Sequence, residues 1–169
     1  MSRDMTLYKD GDERAYLVYT SENNQTMHVC QLAANYLKTT TLDKRILINE
    51  SREAPALFKH EKKYYLITSG TTGWSPNKAQ CAVADAPLGN WKEQGNPLVG
   101  PGADTTFGGQ GTFVLPIAGK KNTYIFMADL WNKTDLQTSR YIWLPLKIKD
   151  NKAIVHRTPQ FHSPVLKQK

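Results

Sequence analysis

The chain has 169 residues, 40% of them hydrophobic, and its 22 lysines and arginines outnumber its 15 aspartates and glutamates to give a net charge of +7. The length is sufficient for a substantial core, and no apolar run approaches the roughly 20 residues that span a bilayer. The lysines are scattered through turns and the tail without an arginine-rich run, so the charge predicts a solvated surface. Neither a nucleic-acid nor a membrane partner is expected.

Two similar hairpins occur in the first half of the chain. In each, an acidic residue precedes an apolar strand, a charged turn follows, and a second apolar strand returns. Asp4 opens the first hairpin and Glu53 opens the second. The two acids are 49 positions apart, as are Tyr16 and Tyr65, and the copies align without a gap.

A third, weaker copy begins at residues 109–111, where Gln110 replaces the acid, and returns through residues 123–127. Repeats of about 40 to 50 residues built from short strands are typical of β-propeller blades. The pattern therefore predicts an all-β propeller in which Asp4, Glu53 and Gln110 open three successive innermost strands. Their side chains are expected to point into one central pocket.

Three blades of about 50 residues fill the chain, whereas closed propellers have about four to eight blades. Met1 leads directly into the first copy without a leader of the secretory type. We therefore expect residues 1–169 to be a single partial propeller domain that lacks its first blade, and localisation cannot be inferred from this terminus.

Glu53 lies at the mouth of its predicted hairpin, ahead of small and apolar residues. A carboxyl partly removed from water there is suited to hold and donate a proton. The alternative is a surface glutamate at the start of a strand. The repeated acid at Asp4 favours the first interpretation.

Three polar turns follow the second strands of the copies, at residues 21–25, 69–77 and 128–132. Their hydroxyl and amide groups can pair with sugar hydroxyls, and the indoles of Trp74 and Trp131 can stack on the apolar face of a pyranose ring. Two alternatives remain open: the first turn is only an Asx-type turn, and Trp74 packs between blades. The Pro- and Gly-rich residues that follow, 86–102, indicate an ordered connection.

The two cysteines, Cys30 and Cys81, have neither metal-type nor redox-type spacing, and both fall in third-strand positions. We expect buried free thiols. The prediction includes no cofactor and no metal. His156 and His162 are isolated, and no role is assigned to them.

Five segments together resemble glycoside hydrolase family 43, in particular its exo-β-1,3-galactanase (galactan 1,3-β-galactosidase) subgroup. The resemblance covers nearly all of residues 2–157, and the segments follow the order of that subgroup. They are Ser2-Arg3-Asp4-Met5-Thr6, Ser21-Glu22-Asn23-Asn24, Arg52-Glu53-Ala54-Pro55-Ala56-Leu57-Phe58, Thr68-Ser69-Gly70-Thr71-Thr72-Gly73-Trp74 with Pro76-Asn77, and Ser139-Arg140-Tyr141-Ile142-Trp143-Leu144-Pro145-Leu146.

The resemblance implies a five-bladed β-propeller, about three blades of which are present, and an inverting mechanism with a general acid, a general base and a third carboxylate. Glu53 matches the acid, and Asp4 matches the carboxylate that tunes the acid and positions the substrate. The usual base is an aspartate on the first blade, which would lie before Met1. Gln110, across the pocket, is then expected to help to position or activate the water, although a neutral amide is a poor base.

The resemblance also implies hydrogen bonds from Asn23, Asn24, Thr71 and Gln110 to the terminal galactose. One position departs from the pattern, because Leu130 stands where an arginine is expected before Trp131. This departure puts contacts at the edge of the pocket in doubt.

The expected function is release of galactose from the non-reducing end of β-1,3-galactan, so the expected partner is a galactose-containing polysaccharide or oligosaccharide. The alternatives are another family 43 specificity, arabinofuranosidase or xylosidase, and a non-catalytic glycan-binding or remnant propeller. We expect the chain alone to be a poor catalyst that self-associates through exposed blade edges. The resemblance suggests a secreted or periplasmic location.

Overall fold

The computed structural model describes residues 2–158, so the predicted domain 1–169 and His162 extend beyond the described part. The fold is all-β, as predicted, and among these residues no helix is long and apolar enough to cross a membrane. The strands are β1 Met5–Lys9, β2 Ala15–Ser21, β3 Thr26–Leu32, β4 Thr39–Ile46, β5 Arg52–His60, β6 Lys63–Gly70, β7 Gln80–Ala84, β8 Lys92–Gly95, β9 Leu98–Val99, β10 Gln110–Pro116, β11 Tyr124–Leu130, β12 Arg140–Lys149 and β13 Lys152–His156. Two short 3₁₀ segments, Ala103–Gly108 and Leu136–Thr138, lie between strands.

Three sheets follow one another along the chain. The first contains β1 to β4 and the second contains β5 to β8, each as an antiparallel meander in chain order. The third contains β10 to β13 in the same order, with β9 added beside β13. The innermost strands β1, β5 and β10 are neighbours, with β5 between the other two. The 49-residue repeat therefore corresponds to successive blades.

The third sheet has a fifth strand in addition to its antiparallel meander of four. β9 pairs in parallel with β13, Leu98 beside Val155 and Val99 beside His156. The segment 95–102, which we predicted to be only a connection, thus supplies an edge strand. Leu98 is buried, which explains why this short piece of chain is held against the sheet.

The second sheet is buried on both faces because its strands alternate apolar side chains toward the two neighbouring sheets. On β6, Tyr64 and Leu66 pack toward the first sheet, while Tyr65 and Ile67 pack toward the third. Each fully buried aliphatic or aromatic side chain contributes about 2 kcal/mol relative to exposure. This central sheet therefore orders its two neighbours around β5.

Cys30 and Cys81 are free and buried, as predicted. They lie on the third strands of successive sheets, β3 and β7. Burial raises the pKa of the Cys81 thiol to about 12, and it also raises the pKa of Cys30. Both thiols are therefore protonated near neutral pH and poor nucleophiles.

A buried carboxylate joins the hairpin turns of the first two sheets, at the end remote from Glu53. Asp10 is 7% exposed and accepts hydrogen bonds from Lys59 Nζ at 2.7 Å and the Gly11 amide at 2.7 Å, and also from the Tyr64 hydroxyl. Burial alone would raise the pKa of Asp10, but the hydrogen bonds from Lys59 and Tyr64 outweigh it and lower the pKa below its ordinary value. The carboxylate thus stabilises the fold in its charged form.

We expect Asp10→Asn to lower the free energy of unfolding by about 2 kcal/mol at neutral pH, because a charged acceptor of several hydrogen bonds is lost. The pKa of Asp10 is depressed by folding, so its contribution is present above the unfolded pKa of about 3.9 and is lost as the pH falls through the folded value. Urea denaturation between pH 7 and pH 3 measures both effects. Asp12→Asn, in the exposed pair with Arg14, is the matched control with little change. Equal stability of the Asp10 variant and the control at pH 7 would contradict the assignment.

Candidate active site

Three predicted residues, Asp4, Glu53 and Gln110, come together where the innermost strands begin. Asp4 precedes β1, Glu53 is the second residue of β5, and Gln110 is the first residue of β10. Because β5 lies between β1 and β10, the starts of all three strands converge. The predicted convergence is therefore present in the structure.

The Glu53 carboxylate is half-buried and accepts amide hydrogen bonds from both neighbouring sheets. Asn24 Nδ2 donates to Oε2 at 2.9 Å, and Gln110 Nε2 donates to Oε1 at 3.1 Å. Gln110 Nε2 also donates to the Ser69 hydroxyl at 2.9 Å. These contacts orient the carboxyl group without a cation at hydrogen-bond distance among the described residues.

Asp4 is exposed and contacts the backbone next to Glu53. Its Oδ2 atom accepts a hydrogen bond from the Ala54 amide at 3.2 Å. Ala54 has a left-handed φ of 51° in an irregularity of the β5 and β6 pairing between Glu53 and Ala56. Such bulges redirect a side chain from the regular pleat. Asp4 thus anchors the bend that directly follows Glu53.

The turn between β2 and β3 carries the two predicted asparagines, which differ in environment. Asn24 is buried, and its Oδ1 atom has no hydrogen-bond partner among residues 2–158. Asn23 is exposed. Both have left-handed backbone conformations, with φ of 69° and 58°. Asn24 therefore bonds to Glu53, whereas the Asn23 side chain lies at the protein surface.

Two tryptophans from different sheets form a wall beside Gln110. Trp74 and Trp131 are 54% and 46% exposed, and their rings meet edge to face with centroids 5.7 Å apart. Trp131 Nε1 donates to Gln110 Oε1 at 3.3 Å. Both rings line a cavity of about 490 Å³, together with Gln110. Trp74 is therefore not packed between blades, whereas Thr71 is exposed and does not line this cavity.

Sequence reasoning did not single out Asn77, which shapes the loop that carries Trp74. Asn77 Oδ1 accepts from the Gly70 amide at 2.7 Å, and Nδ2 donates to the Gly70 carbonyl at 2.8 Å and to the Thr72 hydroxyl at 2.7 Å. A signal was present, because an asparagine that closes a Gly- and Thr-rich loop commonly bonds to its own backbone. Asn77 thereby holds the Trp74 loop closed on itself.

Asp129 is a second residue that sequence reasoning missed. It lies directly opposite Gln110 across β10 and β11, at the position that Ser69 occupies opposite Glu53. It lines a smaller cavity of about 210 Å³ with Asp4, Gln110 and Trp131. Burial raises the pKa of its carboxyl. The repeat could have identified Asp129, because it occupies the position in the third copy that Ser69 occupies in the second.

Leu130 follows Asp129 and is half-buried beside Gly109. The apolar side chain supplies no charge at the edge of the pocket, where an arginine was expected. Among the described residues, no cluster of three or more His, Cys, Asp and Glu side chains is arranged to hold a metal ion.

The family model for glycosyl hydrolases family 43 matches residues 2–157. The chain belongs to glycoside hydrolase family 43. The family has a five-bladed β-propeller fold, and the three sheets of this family 43 chain are consecutive blades of it. The predicted family and fold are confirmed. No curated protein matches the sequence.

Several solved structures are similar to the family 43 chain. A family 43 β-1,3-galactosidase with galactodeoxynojirimycin is 48% identical, with a TM-score of 0.92 over 95% of this chain and 47% of that one. An exo-β-1,3-galactanase from Clostridium thermocellum is 31% identical, with a TM-score of 0.83 over 92% of this chain and 34% of that one. A variant exo-β-1,3-galactanase from Phanerochaete chrysosporium with β-1,3-galactotriose is 33% identical, with a TM-score of 0.82 over 91% and 35%. The chain spans between about a third and a half of the length of these proteins.

We expect Gly109→Ala to disturb this site through sterics alone. A Cβ atom at Gly109 would lie 2.8 Å from the Asp129 carbonyl oxygen and 3.1 Å from Leu130 Cδ2, so the start of β10 must shift and move Gln110. Such overpacking costs about 1 to 3 kcal/mol, measurable by urea denaturation. Gly11→Ala is the control, because a Cβ atom there has no neighbour within 4 Å. Unchanged stability of the Gly109 variant would contradict this prediction, because it would mean that the start of β10 can shift without cost.

Proposed function

We propose that this chain carries the proton donor of an inverting glycoside hydrolase that releases galactose from the non-reducing end of β-1,3-galactan. The observation that carries the proposal is the Glu53 carboxyl group, which accepts hydrogen bonds from Asn24 and from Gln110, the residue that also lines the cavity walled by Trp74 and Trp131. A half-buried acid next to exposed indole faces suits a sugar whose leaving oxygen needs a proton.

The substrate class is supported by similarity to proteins whose structures hold galactose-like ligands. One is a β-1,3-galactosidase with galactodeoxynojirimycin, and another is an exo-β-1,3-galactanase with β-1,3-galactotriose. The cavity of about 490 Å³ lies within the usual size range of small-ligand sites. We propose the same terminal galactose for this chain, with Asn23 and Gln110 at hydrogen-bonding positions around it.

Glu53 and Asp4 have separate roles in this proposal. Glu53 protonates the leaving oxygen, while Asp4 holds the Ala54 bend and keeps a negative charge close to the acid. In an inverting enzyme a water attacks from the opposite face of the ring. Gln110, which contacts both Glu53 and Trp131, orients that water with its amide.

The chain spans a third to a half of the similar solved proteins, and its three sheets cover part of a five-bladed ring. We propose that this part alone works slowly, since three blades leave the ring open and, among the described residues, the cavity is lined only by the second and third sheets. The outer face of the third sheet exposes Tyr141 and Trp143, which favours self-association through that face. We also propose action outside the cytoplasm, because a polysaccharide does not cross a membrane unaided.

The direct test is release of monosaccharide from β-1,3-galactan and from arabinoxylan, with a five-bladed family member assayed alongside. We expect slow release of galactose from galactan only, because the acid and the indole wall are present. Release of arabinose or xylose would favour the other family 43 specificities. Binding to galactan without release would favour a glycan-binding propeller, and a rate equal to that of the five-bladed enzyme would contradict the slow rate proposed for the chain alone.

The assignment of Glu53 as the acid predicts a dependence on the leaving group. Glu53→Gln should lower galactan hydrolysis by about 10²- to 10⁴-fold, yet spare most of the rate on 2,4-dinitrophenyl β-galactoside, whose leaving group needs no proton. Asp4→Asn should lower both rates. Initial rates on the two substrates measure this difference. The roles would be exchanged if Asp4→Asn showed the leaving-group dependence and Glu53→Gln slowed both substrates equally.

A further inference from the structure

Four ionisable side chains form a cluster behind the turn that carries Asn24: Glu22, His28, Asp43 and Arg45. None of them lines either cavity beside Glu53. His28 is 9% exposed and contacts a carboxylate with each ring nitrogen, Nδ1 at 3.0 Å from Asp43 Oδ1 and Nε2 at 3.1 Å from Glu22 Oε1. The Tyr19 ring stacks on the imidazole with centroids 5.2 Å apart. The imidazole is therefore held by contacts at both ring nitrogens and by a stacked ring on its face.

Arg45, on β4, donates two hydrogen bonds to the Glu22 carboxylate. Its Nε atom donates to Glu22 Oε1 at 2.7 Å, and Nη2 donates to Oε2 at 2.6 Å, a two-point contact that fixes direction as well as distance. The hydrogen bond from Arg45 is the main reason why the pKa of Glu22 is lowered to about 2. Arg45 lies directly opposite His28 across β3 and β4. Glu22 is thus attached to both strands.

The backbone at Glu22 is strained, and the strain continues to Asn24. The φ angles of Glu22, Asn23 and Asn24 are 53°, 58° and 69°, so three consecutive residues with side chains adopt the left-handed conformation. Such a run is unfavourable for L-residues and persists only where the surroundings hold it. Glu22 is the first residue of the run, and its side chain is the one that the cluster holds.

The last residue of the same run delivers the amide that contacts the acid. Asn24 Nδ2 lies 2.9 Å from Glu53 Oε2. We propose that the cluster of Glu22, His28, Asp43 and Arg45 is a positioning device for the proton donor, which acts through Asn24 on Glu53. This inference rests on the proposed function of Glu53, and it assigns the four residues a role at a distance from the substrate.

A purely structural role for the cluster makes different predictions. Arg45 lies directly opposite His28 across β3 and β4. Glu22 contacts both side chains and Asp43 contacts His28, so the cluster also joins these two strands. If sheet stability were their only purpose, loss of the cluster would lower stability and slow every substrate equally. A positioning role instead affects the step in which Glu53 transfers its proton.

The first experiment needs no catalysis and uses the chain itself. The side-chain amide signals of Asn24 are followed by ¹⁵N–¹H NMR in the wild type and in Glu53→Gln, His28→Gln and Asp12→Asn. We expect the Asn24 signals to move in His28→Gln in the same direction as in Glu53→Gln. They should stay in place in the Asp12→Asn control, because the Asp12 carboxylate bonds to Arg14 in the turn between β1 and β2, away from Asn24. If His28→Gln left these signals unmoved, the proposal would be wrong even if Glu53 is the acid.

The second experiment uses the leaving-group comparison. We expect His28→Gln to slow galactan hydrolysis about tenfold or more and to change the dinitrophenyl galactoside rate little, because a small misplacement of a catalytic group is costly only where that group acts. If this variant does not fold, Arg45→Gln at the half-exposed rim replaces it. Equal slowing of both substrates would overturn the positioning role. Absence of hydrolysis in the wild type would refute the proposed function alone, and the NMR result would still decide the inference.

Discussion

The Glu53 carboxyl group is the point at which side chains of all three sheets meet. It is half-buried, and its two oxygens accept amide hydrogen bonds from Asn24 of the first sheet and Gln110 of the third. A carboxylate partly removed from water is costly unless donors satisfy it, and amides do so without the fixed charge of a lysine or arginine. The carboxyl group is therefore oriented by neutral donors from the two neighbouring sheets.

The two ends of the blades divide stability from function. At the end remote from Glu53, the buried Asp10 carboxylate binds Lys59 and Tyr64, and the Tyr124 hydroxyl donates to the Lys59 carbonyl at 3.0 Å. These contacts join successive hairpins without left-handed strain at the bonded residues. At the end that contains Glu53, the left-handed residues Asn24 and Ala54 lie next to the acid, and two indoles are exposed. Strain of this kind is tolerated at functional sites because the rest of the fold compensates for it.

The repeat was sufficient to predict most strands and the convergence of Asp4, Glu53 and Gln110, since residues that open successive copies occupy equivalent blade positions. The pairing of Leu98 with Val155 was not predictable, because two apolar residues between prolines and glycines have no periodicity of their own. The contacts of Asn24 were equally impossible to predict from the sequence. They depend on a backbone conformation that asparagine permits but does not require, and on a partner 29 residues away.

Asn24 also changes how the polar turn is interpreted. The resemblance implies that both asparagines contact the terminal galactose, yet one Asn24 donor is directed to Glu53, and its Oδ1 atom is buried away from solvent without a partner among residues 2–158. A sugar hydroxyl cannot donate to that oxygen unless the turn moves. Asn23 is exposed and adjacent, so its amide remains accessible to a ligand. The turn thus presents Asn24 to Glu53 and leaves the Asn23 amide exposed beside it.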